Sequence, residues 1–231
     1  MLRNLLRLHP NLACPEETHI FRWPEPFAGS RFTKIIEENP TLNKHRQMDG
    51  ILDADFRHLL ESARSRKDLQ DGYGEMFLEK NAMSQRRWFD KTPQNSYGLL
   101  LLNAFYPDSK ILHIHRHPYN VVASLKLGKV MPEHDLISAI NTWLESVLIL
   151  NRFRAAWPEL VLDIAYESLT VDPGQSLQEI LAFIDEPDGL IPFDSYGVHP
   201  EQNKYREVLS AAEMDTIASL LAEQMTWFGY E

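Results

Sequence analysis

The stretch Lys110 to Leu125, KILHIHRHPYNVVASL, constrains this chain more than any other part of it. Ile111-Leu112-His113-Ile114-His115 is a short run of β-branched and apolar residues, which predicts a buried strand. Arg116 and His117 follow at the strand's end. Pro118 stands where the first turn of a helix tolerates a residue without an N–H. Val121, Val122 and Leu125 supply one apolar face of that helix. Strand, basic turn and helix in this order put an arginine beside free backbone N–H groups at a helix N-terminus, a natural anion site. Ser124, eight residues beyond Arg116 and about two turns into the helix, offers a hydroxyl donor. Read alone, Arg116 is equally a surface charge after a core strand, because one basic turn is a weak signal.

The same pattern occurs earlier. Arg87-Trp88-Phe89-Asp90 suits a short strand, Lys91-Thr92-Pro93 a turn, and Asn95 to Tyr106 an apolar helix. Two such units in series, Trp88 to Tyr106 and Ile111 to Val130, predict parallel strands with helical crossovers. Ligands of open parallel sheets sit at the carboxyl ends of the strands, so Lys91 and Arg116 are expected on the same sheet edge. A third strand is predicted at 160–165, followed by Tyr166-Glu167.

The remaining elements are mostly helical. Helices are predicted at 1–8, around 31–38, at 51–67, 73–84 and 134–156, and from Asp172-Pro173 onward. Ser210 with Glu213 three residues on is a capping box for a final helix. Residues 186–207 are expected to be loop, with a basic cluster at Lys204 and Arg206. Residues 13–23 are expected to be an acidic loop. Its adjacent Glu16 and Glu17 cannot face the same way; one points into a cleft as a base, or both are solvated.

Length and composition set outer limits. A chain of 231 residues buries a full core and is read as one domain, 1–231, with a helical insertion at about 24–84. A formal charge of −10 argues against non-specific nucleic-acid binding, so any polyanion must meet a concentrated basic site. Cys14 is the one cysteine, which excludes an intrachain disulfide and fits a reducing cytoplasm, the expected location. No apolar run is long enough to span a bilayer, and no signal peptide is expected. His113, His115 and His117 alternate along strand and turn; they form a metal face, or they are hydrogen-bonded or solvent-facing side chains. No His/Cys set has ligand spacing, and no metal is expected.

Taken in order, the pieces LRNLLRLHPNLACPEETHI, FDKTP, KILHIHRHPYNVVASL, Trp143, AYESLTVDP and a terminal helix ending in FGY resemble the sulfotransferase family. HPNLACPEET with its Lys-x-Pro turn is most similar to the protein-tyrosine sulfotransferase branch. The resemblance implies an α/β fold, a P-loop-nucleotide-hydrolase-like parallel sheet flanked by helices. It implies 3′-phosphoadenosine-5′-phosphosulfate (PAPS) as co-substrate, no cofactor, and a hydroxyl or phenol acceptor. Arg116 and Ser124 would grip the donor's 3′-phosphate. Glu17 would be the general base and Lys91 the charge that stabilises the sulfuryl group in transfer. Tyr166 would lie near the nucleotide, and Lys204 and Arg206 on a loop closing over the phosphates. Neither the acceptor nor the oligomeric state is legible.

One departure counts. The family opens with a strand and a phosphate-cradling loop, Gly-x-x-Arg-Ser-Gly-Thr-Thr, followed by a helix; here Met1-Leu2-Arg3 falls inside that helix. The expected fold therefore lacks the first strand and loop. Either Met1 is internal to a longer, active protein, or the chain is a weakened or inactive nucleotide- or partner-binding relative. On both readings this chain is expected to bind donor nucleotide poorly. Micromolar or tighter binding of 3′-phosphoadenosine-5′-phosphate (PAP) in calorimetry would contradict that. A P-loop kinase relative is disfavoured, since no Gly-x-x-x-x-Gly-Lys-Ser/Thr run is present.

Overall fold

A computed structural model describes residues 1–128 and 134–230. Val130, the end of the second expected strand–turn–helix unit, lies outside the described residues. The chain divides into two units, Met1–Ser109 with Glu186–Tyr196, and Lys110–Asp185 with Gly197–Glu231.

The first unit runs α1 (Leu2–Leu6), β1 (Leu12–Ala13), α2 (Ser30–Glu38), α3 (Pro40–Met48), α4 (Asp53–Ser62), α5 (Arg66–Lys80), β2 (Arg87–Trp88) and α6 (Leu99–Phe105). β1 and β2 pair in parallel, Leu12 opposite Arg87 and Ala13 opposite Trp88. No strand was expected at β1, whose Ala13 begins the expected loop; two residues are too few to show a period of two. α3 was also missed, although Asn39 caps it by accepting from the N–H groups of Thr41 and Leu42, with Pro40 at the first position. The two helices expected at 51–67 and 73–84 are α4 and α5, with the break between them earlier than expected. The chain turns extended at Ala63, and Ser65 caps the next helix by accepting from Asp68 N–H at 3.1 Å. The segment before α6 starts as a 3-10 turn over Pro93–Gly98.

The core of this unit packs Phe21, Phe32, Ile36, Phe56, Leu69 and Tyr73. Arg66 is buried and laces the loop above it, donating to the carbonyls of Ile20, Trp23 and Glu25 while its guanidinium lies 4.5 Å over the Phe32 ring. Gly98 is where this loop meets the turn before α6: a Cβ there would stand 1.9 Å from the Phe21 carbonyl oxygen. Backbone cannot yield as a side chain does. Gly98→Ala is therefore expected to destabilise by roughly 1–3 kcal/mol, read as a lower urea midpoint at unchanged slope.

The second unit runs β3 (Ile111–His115), α7 (Pro118–Lys126), α8 (Leu136–Ala156), β4 (Val161–Ala165), α9 (Tyr166–Val171), α10 (Pro173–Phe183), α11 (Tyr205–Val208) and α12 (Ala211–Trp227). β3 and β4 are parallel, from Ile111 opposite Val161 to His115 opposite Ala165. Strand, turn and helix follow the expected boundaries because Pro118 fixes the start of α7. Asp172 caps α10 and Ser210 caps α12 with a full capping box. The loop expected at 186–207 holds α11 at its end. The core packs Val122, Ile140, Trp143 and Val147 against Ile217 and Leu221. Each such side chain contributes about 1.5–3 kcal/mol on burial.

Candidate active site

In the first unit the structure brings Glu17 and Lys91 into contact, Lys91 Nζ on Glu17 Oε1. Glu16, its neighbour, turns the other way. Arg3 on α1 and Arg7 at its C-terminal cap, four residues apart, both bind its carboxylate, Arg3 Nη1 at 2.7 Å. Asp49, at the end of α3, accepts Glu16 N–H at 2.9 and 3.1 Å and the Tyr73 hydroxyl at 2.7 Å. Neither carboxylate is simply solvated. With Glu16 held by α1 and α3, the next side chain faces the turn after β2.

That turn is shaped by its own sequence. Asp90 accepts from Thr92 Oγ1 at 3.1 Å and from Asn95 Nδ2 at 2.5 Å, which curls Asp90-Lys91-Thr92 and projects Lys91. Thr92 Oγ1 also meets His19 N–H at 3.4 Å, and Thr18 bonds Asp90, so loop and turn are stitched together. His45 Nδ1 reaches the Glu17 carbonyl at 3.0 Å. Burial acts to raise the Glu17 pKa, but the hydrogen bonds from His19 and Lys91 outweigh it and hold the carboxyl down at about 2. Glu17 is ionised, aimed and charge-neutralised. Cys14 nearby is buried and its thiol is pushed up to about 12, chiefly by burial, so it is chemically quiet.

In the second unit the turn from β3 to α7 carries Arg116. Its guanidinium lies 4.7 Å over the Tyr166 ring, and Nε donates to Glu201 Oε2 at 2.6 Å with Nη2 on the same carboxylate. The backbone around it is fixed on every side. Trp143 Nε1 donates to the Arg116 carbonyl at 3.0 Å, and His117 N–H donates to Glu167 Oε1 at 2.9 Å. The Tyr230 hydroxyl bridges Glu167 Oε2 at 3.1 Å and His115 Nδ1 at 2.8 Å, and Phe228 stacks on His115. Burial pushes His115 down to about 4, and burial with Glu167 pushes the Tyr230 phenol up.

Of the other expected residues, Ser124 is exposed on α7, Lys204 is exposed just before α11, and Arg206 lies over the Tyr205 ring at 5.4 Å. Asn203 beside them is tied to α7 by Asn120 at 3.1 Å. The histidines are each engaged: His113 on Asp163 at 2.7 Å, His115 on Tyr230, and His117 accepting Tyr119 N–H to cap α7. A cleft of about 390 Å³ borders β4, and two of its lining charges, Arg154 and Asp163, are paired with each other. Glu17 and Lys91 belong to the first unit; Arg116, Ser124, Tyr166, Lys204 and Arg206 belong to the second.

The sequence reading missed Asp49, His19, Glu167 and Glu201. His19 had a usable signal, two residues past Glu17 in an irregular loop. Asp49 had none, because it meets Glu16 across 33 residues.

The profile of the sulfotransferase family matches residues 1–189. The sulfotransferase domain from the curacin biosynthetic pathway is similar in structure: 19% identity, TM-score 0.61, covering 100% of this chain and 93% of that one. So is the sulfotransferase domain of the Synechococcus PCC 7002 olefin synthase, at 19% identity and TM-score 0.62, covering 95% and 90%. Sulfotransferase STF9 from Mycobacterium avium has 16% identity and TM-score 0.63, covering 100% and 74%. At these identities the likeness is one of fold. No curated protein sequence matches significantly.

Proposed function

Because this chain belongs to the sulfotransferase family, we propose that it transfers a sulfuryl group from PAPS to a hydroxyl or phenol acceptor. The observation that carries this reading is the contact between an ionised, half-buried Glu17 and Lys91. The acceptor O–H gives its proton to Glu17 while its oxygen attacks sulfur. The bond from sulfur to the 5′-phosphate oxygen breaks, and PAP leaves with that electron pair. Such a transfer needs in-line positioning and neutralisation of spreading negative charge more than covalent catalysis. Lys91 suits the second task as a compact cation on a flexible stem.

The resting pair also has a consequence for timing. A carboxylate held at about 2 is a weak base. When the donor draws Lys91 toward the sulfuryl oxygens, Glu17 loses its strongest charge partner and becomes more basic. Base strength then rises only when donor is bound.

Arg116 is the anchor proposed for the 3′-phosphate, with Tyr166 beneath it and Ser124, Lys204 and Arg206 proposed as further donor contacts. In the resting chain Glu201 occupies the guanidinium, so a phosphate must displace a carboxylate. Arg116→Met is expected to weaken PAP binding roughly 10- to 100-fold, the loss of charge-assisted hydrogen bonds. Glu201→Gln is expected to tighten it roughly fivefold, because the competing ion pair is gone. Calorimetry with PAP titrated to millimolar concentration reads both, and opposite signs for the two variants are the decisive outcome. Activity itself is tested by incubating the chain with PAPS and a panel of phenols and alcohols and following PAP release. Binding of PAP without acceptor-dependent release would leave a non-catalytic nucleotide-binding protein.

A further inference from the structure

Glu17 carries a partner on each carboxylate oxygen. Lys91 takes Oε1; His19 Nε2 stands 3.2 Å from Oε2. The two partners differ in kind. Lys91 is a long, half-exposed side chain. His19 is 4% exposed and stacked on His45 with ring centroids 6.0 Å apart and planes 15° apart. His45 in turn holds the Glu17 carbonyl, so His19, His45 and Glu17 form a closed set.

The backbone of His19 adds an independent sign. Its φ is +56°, in the left-handed region that non-glycine residues seldom adopt. Such a conformation persists only where the surroundings impose it, and such residues cluster at working sites. Here the imposing contacts are the His19 N–H to Thr92 and the burial of the ring. His19 Nδ1 is buried with no hydrogen-bond partner among the described residues. A proton on Nδ1 would be stranded there, so the neutral ring carries its hydrogen on Nε2, facing Glu17.

We infer that His19 is a positioning residue: it holds Oε2 of Glu17 so that Oε1 stays turned toward the acceptor after Lys91 has left for the sulfuryl group. This rests on the proposed role of Glu17 as the proton acceptor. A glutamate side chain released by Lys91 would turn among several rotamers, and transfer rates fall steeply when the accepting atom wanders. His19 keeps it in register without competing for Oε1. The groups facing Glu17 are Lys91 from the turn after β2, His19 from its own loop, His45 from α3, and Arg3 from α1.

The test removes Lys91 first, mimicking its departure. Glutamate labelled with ¹³C at Cδ is followed by NMR against pH, and the Glu17 signal is identified by its loss in Glu17→Gln. In Lys91→Met, Glu17 is expected still to titrate below an ordinary carboxylate. In Lys91→Met with His19→Asn it is expected to rise by about one unit. Asparagine accepts the left-handed backbone but is too short to reach Oε2. With His19→Gln, which restores reach, the rise is expected to be reversed for the most part. With PAPS and phenol as probes, His19→Asn alone is expected to lower kcat about tenfold. It should also move the acidic limb of kcat/KM to higher pH, leave the KM for PAPS in place, and be rescued by His19→Gln. Identical Glu17 titrations with and without His19 in the Lys91→Met chain would overturn the inference, as would a His19→Gln variant no better than His19→Asn. Full turnover in Glu17→Gln would instead overturn the reading of Glu17 as base, while the titrations still decide whether His19 holds the carboxyl.

Discussion

Replacing Glu17 by glutamine is expected to lower turnover roughly 10²- to 10⁴-fold, the range for loss of a positioned general base. Glutamine keeps the volume and a hydrogen-bonding oxygen but accepts no proton at neutral pH. Arg3, Arg7 and Asp49 fix the neighbouring Glu16 and not Glu17 itself, so the loop is expected to keep its path. PAP binding measured by calorimetry should therefore change little. An equal loss of PAP affinity and turnover would mean that the variant disturbs the donor site instead.

The same variant has a stability signature with a definite sign. Glu17 is held at about 2, below its ordinary 4.5, so its ionised form stabilises the folded chain above pH 4.5. That contribution drains away as pH falls through the folded value. Glu17→Gln should thus be less stable than the parent chain at neutral pH, with the gap closing between pH 4.5 and about 2. Urea midpoints at stepped pH read this directly. A gap that stays constant to pH 2 would show that Glu17 is not held down as described.

Lys91→Met is expected to cost roughly 10²- to 10³-fold in turnover, the scale on which removing one preorganised donor to a developing charge is felt. Methionine preserves the stem and its packing while deleting the ammonium. Two effects then oppose each other. Glu17 becomes the more basic, which favours proton acceptance, but the sulfuryl oxygens lose the cation that neutralises them. The second effect is expected to win, because proton acceptance is improved only modestly while charge stabilisation is lost outright. Lys91→Arg should recover part of the rate, its planar fork fitting a site built for a point charge imperfectly. Pre-steady-state transfer from PAPS to phenol checks the order: parent, then Lys91→Arg, then Lys91→Met. A Lys91→Met chain as fast as the parent would leave Lys91 with no part beyond holding Glu17.

Sequence by itself determined the local grammar of this chain. Ile111–His115 followed by Arg116 and Pro118 had to give strand, turn and helix, because apolar periodicity and the fixed φ of proline act within a few residues. The caps at Asp172 and Ser210 were legible for the same reason. What the tertiary structure decided is which charge meets which. Glu16 and Glu17 are indistinguishable as neighbours in a loop; α1 and Asp49 take the first, the turn after β2 takes the second. The two-residue strand β1 and the carboxylate of Glu201 on Arg116 likewise carry no local signal. The contacts of Asp49, Lys91 and Glu201 join residues 33 to 85 positions apart, and their energy arises only once burial and hydrogen bonding have brought the segments together.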